Sequence, residues 1–178
     1  MPQQTPNVFT YPRMEPGTLG HFDLVAAVRT IPRDVAEELK GLLLPQLTFR
    51  PPDDGDGAWC IQEVVGHLGD AAEVYHKRLY MMSTQTDPIL EPYDPDEFAA
   101  RHGYLEKLIE DLLEKLRFWR AETTQLLTTL VNWNWARTGR HLDNGRVSIR
   151  MLVEHMIEHE QEHLVNIRRL RAAAPPPF

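Results

Sequence analysis

Proline placement is the sequence feature that most limits what this chain can fold into. Proline has no amide proton to donate within a helix, and its ring collides with the preceding helical turn. The fourteen prolines fall within the first 52 residues, within 88–95 and within 175–177. Two proline-free windows remain, 53–87 and 96–174, and the stretch 104–138 contains no glycine either. Both windows therefore favour long helices.

Apolar residues in these windows recur at the three- and four-residue spacing of a helical face. We predict helices over about 59–83, 104–131 and 148–171, the last one capped by Ser148. A fourth helix is predicted over about 35–44, continuing from Pro32, because proline suits a first helical turn. Residues 20–30 are predicted to add a turn or two of helix. With no convincing strand, the sequence predicts an all-α four-helix bundle.

Composition limits the number of domains and the class of partner. A length of 178 residues suits a single domain, 1–178, with an extended N-terminal arm over 1–19 and a proline-rich tail over 172–178. The 19 Lys+Arg against 26 Asp+Glu give a net charge of −7, which provides no basic surface for nucleic acid. One cysteine and no apolar stretch long enough for a bilayer favour a cytoplasmic protein without a membrane partner.

Histidines are placed unevenly along the chain. His155, His159 and His163 lie four residues apart on the last predicted helix, so that neighbours are about 40° apart around its axis. Relative to the apolar face of that helix, His159 and His163 border the core, while His155 leans towards solvent. His67 lies at the edge of the apolar face of the helix over 59–83. Three imidazoles meeting inside a bundle are typical of a catalytic site for a divalent ion, although each alone could be a hydrogen-bonded core residue.

Two metalloprotease patterns overlap on the same helix. The segment 159–163 matches H-E-x-x-H, and the segment 155–159 matches H-x-x-E-H. Both architectures usually take a third ligand from downstream. Only 15 residues follow His163, and none of them is His, Asp or Glu. The sequence therefore argues against a protease and points upstream, to His67, for a third ligand.

The segments 59–70 and 159–167 carry a family resemblance. The first contains Trp59, Cys60 and His67, and the second contains His159, Glu160 and His163. In order and spacing they resemble the DinB/YfiT-like superfamily of four-helix bundles, over nearly the whole chain from about residue 30. The resemblance implies a metal triad of His67, His159 and His163. Cys60 departs from the serine that many members have as a helix cap.

The resemblance also implies an activity. Characterised members are thiol-dependent S-transferases or isomerases that use a low-molecular-weight thiol such as bacillithiol or mycothiol. The resemblance therefore implies transfer of such a thiol to an electrophilic small molecule at a divalent metal, with zinc or nickel as the first expectation and iron as the next. We interpret Glu160, which points inward, as a catalytic residue that assists proton transfer. The alternatives are a metal-dependent hydrolase and a non-enzymatic metal-binding or stress-response protein. The resemblance further implies a homodimer.

Two other groups could contribute chemistry. Cys60 at a helix N-terminus could be an activated thiol, but no basic residue separates it from His67, and a buried, unreactive thiol is the simpler interpretation. Trp133, Asn134 and Trp135 could line a pocket for an organic substrate. We instead expect this loop to pack its tryptophans onto the end of the bundle.

Overall fold

The computed structural model describes residues 19–55 and 58–176, which contain six α-helices and a small sheet. The helices are α1 His21–Leu39, α2 Leu44–Leu47, α3 Ile61–Thr84, α4 Pro95–His102, α5 Ile109–Thr128 and α6 Ile149–Ala173. Short 3-10 helices cover Pro52–Asp54, Tyr104–Glu106 and Asn132–Ala136. Of the predicted N-terminal arm, only Leu19 lies within the described residues. None of the helices in these ranges combines the length and the apolar character that crossing a bilayer requires.

The four long helices form the predicted bundle. Helix α1 packs against α5 and α6, and α3 packs against the same two helices. Helices α1 and α3 therefore face each other across the bundle axis, as do α5 and α6. This arrangement confirms the all-α four-helix prediction, and it brings α3 and α6, the helices of the predicted metal triad, into direct contact.

The boundaries of α3 and α6 were predicted to within about two residues. Cys60 precedes the first turn of α3, and its amide donates to Glu63 Oε2 at 2.9 Å. Ser148 caps α6 as predicted, because its hydroxyl accepts the amide proton of Met151 at 3.1 Å. Helix α6 continues to Ala173, so the predicted tail begins two residues later than expected, and Pro177 and Phe178 lie outside the described residues.

The prediction for the first helix was wrong about its start. Helix α1 runs from His21 and contains Pro32 in its interior instead of at its first turn. Proline removes one backbone hydrogen bond there, but the buried side chains of Val28, Ile31 and Val35 hold the helix on both sides of it. The stretch 40–43, which was predicted to be helical, instead separates α1 from the short helix α2.

The predicted helix over 104–131 also begins too early. A 3-10 turn covers Tyr104–Glu106, Lys107 is extended, and α5 starts only at Ile109. The side-chain amide of Gln62 donates to the carbonyls of Tyr104 and Lys107, each at 2.9 Å. Long-range partners therefore occupy carbonyls that a continuous α-helix would bond to its own amides, and periodicity along the sequence does not show this.

A small sheet and helix α4 were not predicted. Strand β1 (Ile89–Leu90) pairs in parallel with β2 (Thr138–His141), which pairs in antiparallel with β3 (Gly145–Ser148). The strands are too short to display a two-residue alternation, although Asn144 and Gly145 carry the turn chemistry of a hairpin. Helix α4 follows Asp94, whose carboxylate accepts the amide protons of Asp96 and Glu97 at 2.9 and 3.1 Å. An aspartate followed by proline is a helix-start signal, and here it lies within the proline-rich segment that was predicted to be a loop.

The apolar core is divided into two clusters along the bundle. On α6 one cluster ends at Ile157 and the other begins at Leu164. On α5 the cluster that contains Ile157 includes Leu127. The cluster that contains Leu164 includes Leu116, and Trp119 packs against it. Between the two clusters, the helices carry buried polar side chains instead: Arg120 and Thr123 on α5, and His159 and Glu160 on α6. We call the band formed by Arg120, Glu160, His67, His159 and His163 the polar layer.

A second buried polar group, centred on Asp70, fixes α3 against α4, the turn after α4 and α5. Asp70, which is 1% exposed, accepts hydrogen bonds from His102 Nδ1 and Lys115 Nζ, both at 2.6 Å, and from the hydroxyl of Tyr104. The Tyr104 ring packs against α3 at Gly66, where an added Cβ would overlap the ring carbons. Glycine at this position therefore permits the close approach that brings Tyr104 to Asp70.

We expect Gly66→Ala to lower the free energy of unfolding by about 1–3 kcal/mol, because the new methyl group overlaps the Tyr104 ring. Urea denaturation monitored by circular dichroism would measure this. Gly69→Ala is the matched control on the same helix: its Cβ would meet its nearest neighbours at 3.4 Å, an ordinary contact. Alanine is the better helix former, so this control should leave stability unchanged or raise it by up to about 1 kcal/mol. Equal effects at both positions would contradict the proposed role of Gly66.

Candidate metal centre

The structure brings the three predicted histidines together where α3 and α6 meet. His67 Nε2 lies 3.0 Å from His159 Nε2, and His163 Nε2 lies 3.1 Å from the same atom. One ring nitrogen from each histidine lies within 4.8 Å of the others. Within residues 19–55 and 58–176, this is the group of His, Cys, Asp and Glu side chains close enough to share one ion. His67 and His159 are buried and His163 is half-buried.

Burial keeps these imidazoles uncharged. Desolvation lowers the pKa of His67 and of His159 well below 6.5, and neighbouring histidines lower both further. Desolvation also lowers the pKa of His163 to about 4. At neutral pH each ring is therefore neutral and carries one nitrogen lone pair.

The donor set fits a divalent transition-metal ion. Three imidazole nitrogens suit zinc, nickel, iron and copper, and three protein ligands are typical of catalytic rather than structural zinc sites. Because His159 Nε2 lies about 3 Å from two other ring nitrogens, hydrogen bonds can join these atoms only where one of each pair carries a proton. A cation would accept all three lone pairs at once, whereas His159 Nε2, with one proton or one in-plane lone pair, can align with only one of its two neighbours.

His155 does not lean towards solvent, so that prediction was wrong. Its side chain is 6% exposed, and its ring lies against those of Tyr75 and His159, with centroids 6.0 and 6.4 Å away. The prediction compared His155 only with the apolar residues of its own helix. Helix α6 is in fact covered on several sides, by α1, α3, the 3-10 helix Asn132–Ala136 and strand β3. His155 belongs to the buried surroundings of the cluster and not to the cluster itself.

Glu160 points into the bundle, as predicted, but its partner is Arg120. The carboxylate and the Arg120 guanidinium form a buried ion pair that crosses the bundle from α6 to α5, with exposures of 0% and 1%. Burial raises the pKa of Glu160 to about 7, and the adjacent guanidinium offsets part of that increase. Arg120 also lies over the ring of Tyr75, 5.9 Å from its centroid. The catalytic role of Glu160 stays a prediction, and its visible contact is with Arg120.

We expect Arg120→Met to destabilise the fold by about 3–5 kcal/mol, because it leaves Glu160 buried without a compensating charge. The double variant Arg120→Met/Glu160→Leu should recover most of this loss, since no unpaired charge remains. Thermal and urea unfolding of the two single variants and the double variant form a double-mutant cycle. Additive losses in the double variant would show that the two side chains do not act as a pair.

Two aromatic residues adjoin His67 within the histidine cluster. The Trp59 ring lies 5.0 Å from the His67 ring, between centroids. The hydroxyl of Tyr93 lies 3.1 Å from His67 Nδ1, the ring nitrogen that faces away from His159. Burial and the charge of Asp70 raise the pKa of Tyr93, so its phenol stays protonated. Sequence reasoning placed Trp59 in the family motif but missed Tyr93, because Tyr93 lies 26 residues after His67 along the chain.

The remaining candidates take structural positions. Cys60 is buried and burial raises the pKa of its thiol, which agrees with the interpretation that it is unreactive. Trp135 is buried and stacks on His21, with ring centroids 4.3 Å apart, as expected for a loop packed onto the bundle. Trp133 is 75% exposed, so only one of the two tryptophans packs as predicted.

The fold and the cluster together define a four-helix bundle with a buried three-histidine centre. The family model of the DinB superfamily matches residues 27–167. The chain belongs to the DinB superfamily, as its motifs indicated.

Solved and curated relatives agree with this assignment. YfiT from Bacillus subtilis, described as a probable metal-dependent hydrolase with an unusual four-helix bundle topology, superposes with a TM-score of 0.81 at 20% identity and 92% coverage of both chains. A protein of Oceanobacillus iheyensis, provisionally named a metal-dependent hydrolase, is 29% identical over 114 residues, which are 64% of this chain and 66% of that protein, just under two thirds of its length. A Geobacillus kaustophilus protein with the same provisional name is 27% identical over 83% of this chain and 82% of its own.

Proposed function

We propose that this protein is a metal-dependent enzyme in which His67, His159 and His163 hold a divalent ion. The observation that carries the proposal is the convergence of three neutral imidazole nitrogens within 4.8 Å, between the two apolar clusters of the bundle. The names of the relatives, which describe metal-dependent hydrolases, support the same class of function. Zinc and nickel are the first candidates, because three imidazoles suit both ions.

The nucleophile comes from outside the chain. When bound, a divalent ion lowers the pKa of a coordinated water or thiol and so supplies a nucleophile at neutral pH. The thiol of Cys60 is buried, has a raised pKa and contacts Glu63 rather than the histidines. Hydrolysis uses water, and thiol transfer uses a low-molecular-weight thiol that adds to an electrophilic small molecule. The relatives' names favour the first reaction, and the family resemblance favours the second.

The chain's own groups would bind the ion and shape its surroundings. His163 is half-buried and Trp59 is half-buried beside His67, so a small molecule would approach the centre along this side. Glu160, if it assists proton transfer, does so while paired with Arg120. The homodimer, the cytoplasmic location and the absence of a nucleic-acid partner stay predictions of the sequence.

We expect the untagged protein, reloaded with zinc or nickel and desalted, to hold close to one metal ion per chain. His67→Ala and His163→Ala should each lower metal affinity by more than about tenfold, since each removes one of three ligands. Inductively coupled plasma mass spectrometry and chelator competition measure occupancy and affinity.

His76→Ala is the matched control for this experiment. His76 lies on α3, like His67, but contacts Thr123 and Trp119 instead of the cluster. Its removal should leave metal binding unchanged. Wild-type protein that binds none of zinc, nickel and iron would contradict the metal site, and so would full occupancy in both cluster variants.

The two candidate reactions are separated by the dependence of product formation on thiol. The metal-loaded protein is assayed with p-nitrophenyl acetate alone, and with 1-chloro-2,4-dinitrobenzene plus bacillithiol, mycothiol or cysteine. Thiol transfer forms a carbon–sulfur bond and releases chloride, whereas hydrolysis releases p-nitrophenol without thiol. We expect one of the two activities to disappear in His67→Ala and to persist in His76→Ala. Metal binding without either activity would favour the non-enzymatic alternative.

A further inference from the structure

The outer nitrogens of the clustered histidines differ in their surroundings. His67 Nδ1 lies 3.1 Å from the hydroxyl oxygen of Tyr93, and both residues are buried, at 2% and 7% exposure. His159 Nδ1 is also buried, but it has no hydrogen-bond partner within residues 19–55 and 58–176. His67 therefore has a side-chain partner that fixes its ring, and His159 does not.

The contact with Tyr93 bears on which ring nitrogen of His67 carries the proton. A neutral imidazole has one protonated nitrogen and one lone pair, and an acceptor at one nitrogen keeps the proton there. The protonated phenol can donate to a lone pair on Nδ1 or accept a proton from Nδ1, and the second arrangement leaves the lone pair on Nε2. Nε2 is the atom that lies 3.0 Å from His159 Nε2, so this tautomer directs the lone pair into the cluster.

The segment that carries Tyr93 is held at both ends. Before it, strand β1 pairs with β2, and the buried guanidinium of Arg78 donates to the carbonyl of Glu91. After it, Asp94 caps α4. The Tyr93 ring also packs edge-on against Phe98, with centroids 4.7 Å apart. The hydroxyl is therefore placed by the fold, and not by its contact with His67 alone.

We propose that Tyr93 is a positioning residue for the metal centre: its hydroxyl oxygen accepts the Nδ1 proton of His67 and so directs the Nε2 lone pair towards His159 and His163. This inference rests on the proposed metal site. Partners of this kind typically change metal affinity by about 10–100-fold when they are removed.

The experiment compares Tyr93→Phe with Tyr104→Phe. Each substitution removes one hydroxyl hydrogen bond of a buried tyrosine near α3, but the Tyr104 hydroxyl donates to Asp70 and not to a histidine of the cluster. Zinc affinity is measured by chelator competition, and the tautomer of His67 in the metal-free protein by nitrogen-15 chemical shifts of its ring. Circular dichroism and thermal unfolding report whether each variant is folded.

We expect Tyr93→Phe to weaken zinc binding by about 10–100-fold. The proton of His67 should lie on Nδ1 in the wild type and move towards Nε2 in the variant. Tyr104→Phe should lower thermal stability while leaving zinc affinity and the His67 tautomer unchanged.

Three results would overturn the inference: a Tyr93→Phe variant that binds zinc as tightly as the wild type, an equal loss of affinity in Tyr104→Phe, or a wild-type His67 protonated on Nε2. Wild-type protein that binds no zinc, nickel or iron would instead overturn the proposed metal site. The failure of the metal site and the failure of the Tyr93 role are thereby distinguished.

Discussion

Compensation of buried charge in the polar layer is the constraint on which the rest of the bundle depends. Two apolar clusters lie on either side of this layer, so its side chains have little access to water. An unpaired charge buried there would cost several kcal/mol, comparable to the whole stability of many domains. Arg120 and Glu160 meet this constraint by pairing across the bundle, and the histidines meet it by staying neutral. With Glu160 ionised, the layer thus carries no net charge although all its members are ionisable.

The Asp70 network serves a different purpose on the same helix. Its donors come from α4, from the 3-10 turn after it and from α5, so one carboxylate fixes three segments against α3. Asp70 is one turn from His67, and Gly66 admits the Tyr104 ring beside it. Rotation of α3 about its axis would break these bonds, which means that the orientation of His67 towards α6 is set partly by residues that never contact it.

Sequence reasoning was correct where local patterns of residues determine the structure, and it was wrong where contacts with segments distant in sequence determine it. Proline-free apolar periodicity located α3 and α6, and histidine spacing placed His159 and His163 towards the core. The start of α5 was wrong because Gln62, more than forty residues earlier, binds carbonyls at that end. His155 was wrong because burial depends on elements that cover α6 from outside its apolar face. Tyr93 has no local signal at all, since only the path of the loop after β1 brings it to His67.

The pairing of Glu160 with Arg120 has a consequence for the chemistry of the neighbouring cluster. Glu160 follows His159 directly on α6, and an unpaired carboxylate in that position would offset the positive charge of a nearby cation. Arg120 compensates this carboxylate instead, and the three imidazoles contribute no charge of their own. An ion held by these ligands would therefore retain its full positive charge. That is the condition under which it most strongly favours an anionic nucleophile, whether the nucleophile is hydroxide or thiolate. The ion pair and the neutral triad are in this sense two parts of one electrostatic arrangement.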